Sequence, residues 1–281
     1  MKRFNAYQKI FAAFFAALVI FWAILFFSDK KSGNLNYWYS FLFGLIPLFG
    51  GLIGMMRAKL WGGLRSSLGR AIFFISLGLF LWGFGESIWS YYNFFKGIPA
   101  PYPSLADIGF APSIFFWILG TAYLAVATGA FIALKRKTWA KVALFLIPLV
   151  LLIPSYYVQV SLAREGVIVP PGETTLKAIL DIAYPFGDFL ALTFAAVVFT
   201  LSYKYAGGLY RRPVIGLLAG LAIMYFADSW FSYTTTKETY YNGDFGDFML
   251  MVGLFLMTFG ILAFATKPPL NKPSTSKVES K

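Results

Sequence analysis

The sequence predicts an all-α integral membrane protein of eight transmembrane helices with both termini in the cytoplasm. Three observations predict it. Of 281 residues, 59% are hydrophobic and only 13% charged, where a soluble domain carries about 25% charged residues. Eight apolar runs each reach the ~20 residues that a bilayer core of ~30 Å requires. Finally, Lys and Arg gather on alternate connecting segments, which orients the chain.

The runs cover 10–27, 37–56, 71–92, 108–134, 142–160, 178–203, 214–233 and 248–266. The first follows Lys2, Arg3 and Lys9, as a signal peptide would. It exceeds the roughly 7–15 apolar residues of such a peptide, so it is expected to stay as a span. The segments predicted to be cytoplasmic hold 18 of the 24 Lys and Arg residues. This asymmetry accounts for the net charge of +12 without a nucleic-acid partner. The third run leads out through Glu86 into the proline-rich turn Ile98-Pro99-Ala100-Pro101-Tyr102-Pro103, a stiff element over the outer face. Ser104-Leu105-Ala106-Asp107 has the form of a capping box at the start of the fourth run, and Asp244-Phe245-Gly246-Asp247 has a similar part before the eighth. The sixth run carries Asp181, Pro185, Gly187 and Asp188; the proline frees a backbone carbonyl one turn back. The polar segment 267–281 reads as a disordered cytoplasmic tail.

The chain also repeats itself. Gly62-Gly63-Leu64 matches Gly207-Gly208-Leu209, Glu86-Ser87-Ile88-Trp89-Ser90-Tyr91 matches Asp228-Ser229-Trp230-Phe231-Ser232-Tyr233, and Asp107 matches Asp247. The offsets of 145, 142 and 140 residues predict two four-helix halves in the same orientation.

With no cysteine and no histidine, the chain lacks the ligands of zinc, copper and haem sites and the groups of Cys- or His-based catalysis. A retinal Schiff base is set aside because the eighth run has no lysine. No cofactor is expected. The acids carry the information: eleven of twelve fall in outer segments or within spans, although topology makes no such demand of Asp and Glu. A carboxylate in hydrocarbon costs at least ~2.5 kcal/mol, so buried acids should face one another or a wet cavity. At ~1.5 Å per residue, Glu86 and Asp228 sit at nearly the same height, about two turns below the outer surface, and Asp188 near mid-membrane. Asp181 and Asp188 share a helix face with Tyr184 between them.

The candidate ligand-binding set is therefore Glu86, Asp181, Asp188 and Asp228 framed by Trp89, Tyr184, Tyr225 and Trp230. Oxygen ligands suit Na⁺ or Ca²⁺; acids beside aromatic rings equally suit an organic ammonium; buried carboxyls would also respond to protons. Structural readings stand beside these. Asp107 and Asp247 are helix caps, the aromatic residues are interfacial anchors, and the buried acids bond neighbouring helices through Ser87, Ser90 or Ser232.

Gly62-Gly63-Leu64-Arg65-Ser66, Leu68-Gly69-Arg70-Ala71, Ile88-Trp89-Ser90-Tyr91-Tyr92, Pro101-Tyr102-Pro103-Ser104-Leu105-Ala106-Asp107, Asp181 with Tyr184-Pro185 and Gly187-Asp188, and Asn242-Gly243-Asp244 with Asp247 together resemble a widespread prokaryotic polytopic membrane domain. That domain stands alone or ahead of diguanylate cyclase or histidine kinase domains. The resemblance implies an input module in the cell membrane, and it carries no ligand-binding residues across. This chain departs from the fused form by ending at Lys281, so signalling would need a partner protein. The expected function is a sensor-like module taking a small cation, an amine or protons from outside. An ion-coupled transporter or channel using the same cavity is the alternative. Nothing in the sequence resembles the nucleophile–base set of an enzyme.

Overall fold

The computed structural model describes residues 4–130, 132, 136, 138–169, 171–172, 174–202 and 211–264. Among them every regular element is helical. The long helices are α1 (Ala6–Phe27), α2 (Asn34–Leu60), α3 (Ser67–Tyr91), α4 (Asp107–Ala127), α5 (Thr138–Tyr156), α6 (Thr175–Ser202), α7 (Arg211–Thr236) and α8 (Phe245–Leu262). Wider turns prolong α3 over Tyr92–Lys96 and α5 over Tyr157–Leu162. Seven of these helices are long and apolar enough to cross a membrane; the region of α5 contributes a shorter apolar stretch, Pro148–Leu162.

Most helices begin a few residues before the apolar runs, because polar caps carry the first turn beyond the apolar core. Asn5 and Gln8 form a reciprocal capping box on α1. The Ser66 side chain accepts from Gly69 N at the start of α3. Asp244 accepts from Asp247 N at the start of α8. The ends expected at 134, 203 and 266, the pair Gly207-Gly208 and the tail 267–281 lie outside the described residues.

Six helices close a ring in the order α2–α3–α4–α6–α7–α8, with α8 returning to α2. α1 packs outside on α2 and α8; α5 packs outside on α6, and its terminal turn touches α7. Small residues let the backbones approach, as membrane helices require without a hydrophobic force between them. A Cβ on Gly51 of α2 would stand 2.5 Å from Phe80 N of α3, and one on Gly109 of α4 would stand 2.5 Å from Leu81 O of α3. At one end of the bundle, Arg57 donates to the carbonyls of Leu262 and Phe264, and Asn5 Nδ2 donates to Leu262 O. These donors occupy the orphan carbonyls at the end of α8. The opposite end carries the loops 97–106 and 237–244.

Candidate functional site

Below those two loops the ring encloses a cavity of about 50 Å³. About 10–15 Å³ suffices for one water, so the space holds a few waters or one small solute. Four acids line it: Glu86 of α3, Asp107 of α4, Asp228 of α7 and Asp247 of α8. Trp82, Trp89, Phe110, Phe231, Tyr102, Tyr184 and Tyr240 supply most of the remaining wall, with Ile114 and Leu250. Among the described residues no Lys or Arg lines it.

Local structure sets each acid. Glu86 lies over Gly44, where an added Cβ would meet its Cγ at 2.4 Å, and it accepts from Ser40 Oγ of α2 at 2.5 Å. Asp107 reaches back to accept from Ser104 N at 2.7 Å, while Tyr184 Oη of α6 donates to its other oxygen. It is thus both a cap and a wall of the cavity. Asp247 accepts from Gly243 N at 2.7 Å and from Tyr240 Oη at 3.2 Å. Asp228 is different: it faces the cavity on one side and another acid, Asp188, on the other. Asp188 is wholly buried, and its side chain hydrogen-bonds that of Asp228.

The loop groups complete the wall. Burial pushes the hydroxyls of Tyr102 and Tyr240 well above the ordinary phenol range. For Tyr102 the nearby Asp181 adds to this; for Tyr240, Asp247 and then Asp244 do. Both stay neutral donors. Burial also holds the Asp244 carboxyl up, at about 6, against the bonds it receives from Asp247 N and Trp230 Nε1. Asn242 ties the loop to two helices, accepting from Trp89 Nε1 at 2.9 Å and, through its carbonyl, from Asn36 Nδ2 at 2.8 Å.

Of the residues singled out from sequence, Glu86, Trp89, Tyr184 and Asp228 meet in the cavity, and Asp188 stands behind Asp228. The other three lie elsewhere. Asp181 is engaged in a buried ion pair with Arg164, and Lys177 Nζ approaches the same oxygen at 3.0 Å. Its charge is thereby answered within the protein. Tyr225 turns its hydroxyl toward α5, where it donates to Leu151 O at 2.9 Å and meets Ser155 Oγ at 2.7 Å. Trp230 is 41% exposed on the outside of α7, with its Nε1 3.3 Å from Asp244 Oδ2. Sequence reasoning assigned Asp107 and Asp247 to capping and omitted Tyr102, Tyr240 and Phe231 from the site. The signal was present in the repeat: Glu86 with Asp228, Trp89 with Phe231, and Asp107 with Asp247 are the offset pairs, and all six residues line the cavity.

The acids do not converge on one point. No group of three His, Cys, Asp or Glu side chains among the described residues could hold a metal ion. What the arrangement offers is a small, aromatic-walled space with carboxyl groups on several sides. Comparison with known protein families, with characterised proteins and with solved structures gives no match.

Proposed function

We propose that the protein is a multi-pass membrane module that binds a small cation in this cavity, as the input part of a sensing device in the cell membrane. The observation that carries the reading is the cavity wall: four acids from four helices and, among the described residues, no basic one. Desolvating acids in a bundle is expensive, so intramembrane acids gathered on an open space mark a functional site. The distribution of basic residues supports cytoplasmic termini and a loop end, with its cavity, that faces outside.

The packing supports a duplicated origin. A Cβ on Gly120 of α4 would meet Ile75 N and Ala71 O of α3, and one on Gly260 of α8 would meet Leu217 N and Pro213 O of α7. Gly120 to Gly260 is an offset of 140, and Ala71 to Pro213 and Ile75 to Leu217 are each 142. Two four-helix halves in one orientation then place a common cavity on a pseudo-two-fold axis.

Ion-coupled transport is the second reading, and buried Asp188 favours it, since it extends the acids toward mid-membrane. Binding without passage is favoured by the inner half, where no described acid continues the path beyond Asp188.

The test is the thermal stability of the protein in phosphatidylcholine nanodiscs, measured against chloride salts of Na⁺, Ca²⁺ and methylammonium at constant ionic strength. Saturable stabilisation by at least one cation is the expected result. A melting temperature indifferent to all three refutes the reading. Flux of the stabilising cation in proteoliposomes replaces sensing with transport.

A further inference from the structure

The wall of the cavity discriminates among cations. Metal ions such as Na⁺ and Ca²⁺ want a shell of oxygen ligands, six to eight for Ca²⁺. Here Glu86, Asp107 and Asp247 already accept internal hydrogen bonds, and no three acids come together. Those acids are engaged within the protein and do not assemble into a ligand shell.

The rings are arranged as a box. Trp89 and Phe231 meet edge to face at 69°, Trp89 and Tyr240 at 82°, and Phe231 and Tyr240 at 76°, with centroids 4.9–6.2 Å apart. Three mutually steep rings form the sides of a corner, the form that holds alkylated ammonium groups through cation–π attraction. The acids enter on the same helix faces. Glu86 and Trp89 stand one turn apart on α3, as do Asp228 and Phe231 on α7. Among the described residues of the wall Asp228 has no basic partner. Behind it the wholly buried Asp188 hydrogen-bonds Asp228, so a pair of carboxyls from two helices backs this part of the wall.

We propose that the cavity binds a small alkylammonium ion, its N–H groups directed at Asp228 and its alkyl part against Trp89, Phe231 and Tyr240. This rests on the cation-site reading and narrows it to a ligand class. N–H donors match the Asp228–Asp188 carboxyl pair, the rings match the alkyl group, and about 50 Å³ limits the ion to a few heavy atoms.

The experiment is calorimetric titration of the protein in phosphatidylcholine nanodiscs with methylammonium, tetramethylammonium, sodium and calcium chlorides at equal ionic strength. Methylammonium is expected to bind saturably. Tetramethylammonium, which has no N–H, is expected to bind about tenfold more weakly or not at all, and the metal ions not at all. Phe231→Leu should weaken methylammonium binding about fivefold and Asp228→Asn should abolish it, while Asp29→Asn on the exposed first loop leaves it unchanged. If Asp228→Asn does not fold, Phe231→Leu and the four-salt comparison still decide. Binding of Na⁺ or Ca²⁺ without methylammonium, or methylammonium binding untouched by Phe231→Leu, overturns the ammonium assignment and leaves a cation site. Absence of binding by every salt overturns both.

Discussion

Removing the Arg164 guanidinium should destabilise the protein more than any surface change, because of what it leaves behind. The Arg164 and Asp181 side chains are each 0% exposed. Breaking such a pair strands a buried charge, which costs about 3–5 kcal/mol. Asp181 keeps other contacts, among them Lys177 Nζ at 3.0 Å, itself only 17% exposed, Thr236 Oγ1 at 3.4 Å, and the Tyr102 hydroxyl. They offset part of the loss, so Arg164→Met is expected to cost about 2–4 kcal/mol. Removing both charges as Arg164→Met with Asp181→Leu eliminates the stranded acid, and stability should return to within about 1 kcal/mol of the parent. The assay is reversible unfolding in mixed detergent–SDS micelles, read as a double-mutant cycle. Because Asp181 and Arg164 are not on the cavity wall, the double variant should also keep the parent's affinity for methylammonium. A harmless Arg164→Met, or a double variant as unstable as the sum of the singles, would refute the argument that Asp181 is a structural partner of Arg164 rather than a cation ligand.

Other outcomes follow from the same geometry. Gly44→Ala places a methyl 2.4 Å from Glu86 Cγ and should cost about 1–3 kcal/mol; adding Glu86→Ala should recover much of it, seen in the melting temperatures of the two variants. Asp188→Asn replaces one acid of the buried Asp188–Asp228 pair with an amide that can donate to Asp228 and should stabilise by about 1 kcal/mol; a loss of stability would contradict this pairing of two acids. The third concerns pH. Asp244 is held at about 6 by burial, above its ordinary 3.8. The folded state therefore binds its proton more tightly than the unfolded state. Stability from this group is absent above the folded value, rises as pH falls through about 6, and is complete below 3.8, worth up to about 3 kcal/mol. Asp244→Asn keeps the cap acceptor, and the difference between its pH–stability curve and the parent's should show this rise.

The helical framework was legible because hydropathy reports the spans directly. Each of the eight apolar runs falls on a long helix, and the differences are at the ends, where caps such as Asn5, Ser66 and Asp244 set the start. The height of the acids was legible too: rise per residue put Glu86 and Asp228 at one level, and both reach the cavity. Azimuth was not. Tyr225 and Asp228 lie within one turn on α7, yet the tyrosine points to α5 and the acid to the cavity. A rotation of that size is decided by which neighbour packs where, and no local spacing encodes it. Arg164 was hidden for a related reason. It precedes Asp181 by 17 residues across a loop, so charge counting treats it as one more outer-loop cation. Asp107 shows a third limit: its cap geometry was readable from Ser104 onward, but the Tyr184 hydroxyl that turns it toward α6 comes from 77 residues away.

The central claim is that a negatively charged hollow between the helices is open to cations from the loop side. The chain has no cysteine, so Phe231→Cys gives a single thiol on the cavity wall. The measurement is its rate of modification, from the loop side, by cationic ethylammonium methanethiosulfonate and by anionic ethylsulfonate methanethiosulfonate, each divided by the rate for a free thiol in solution. The account predicts that the cationic reagent is favoured at least about tenfold, as a cleft walled by four acids would focus it, and that high salt erodes the preference. Equal rates, an anionic preference, or a thiol that neither reagent reaches would contradict it.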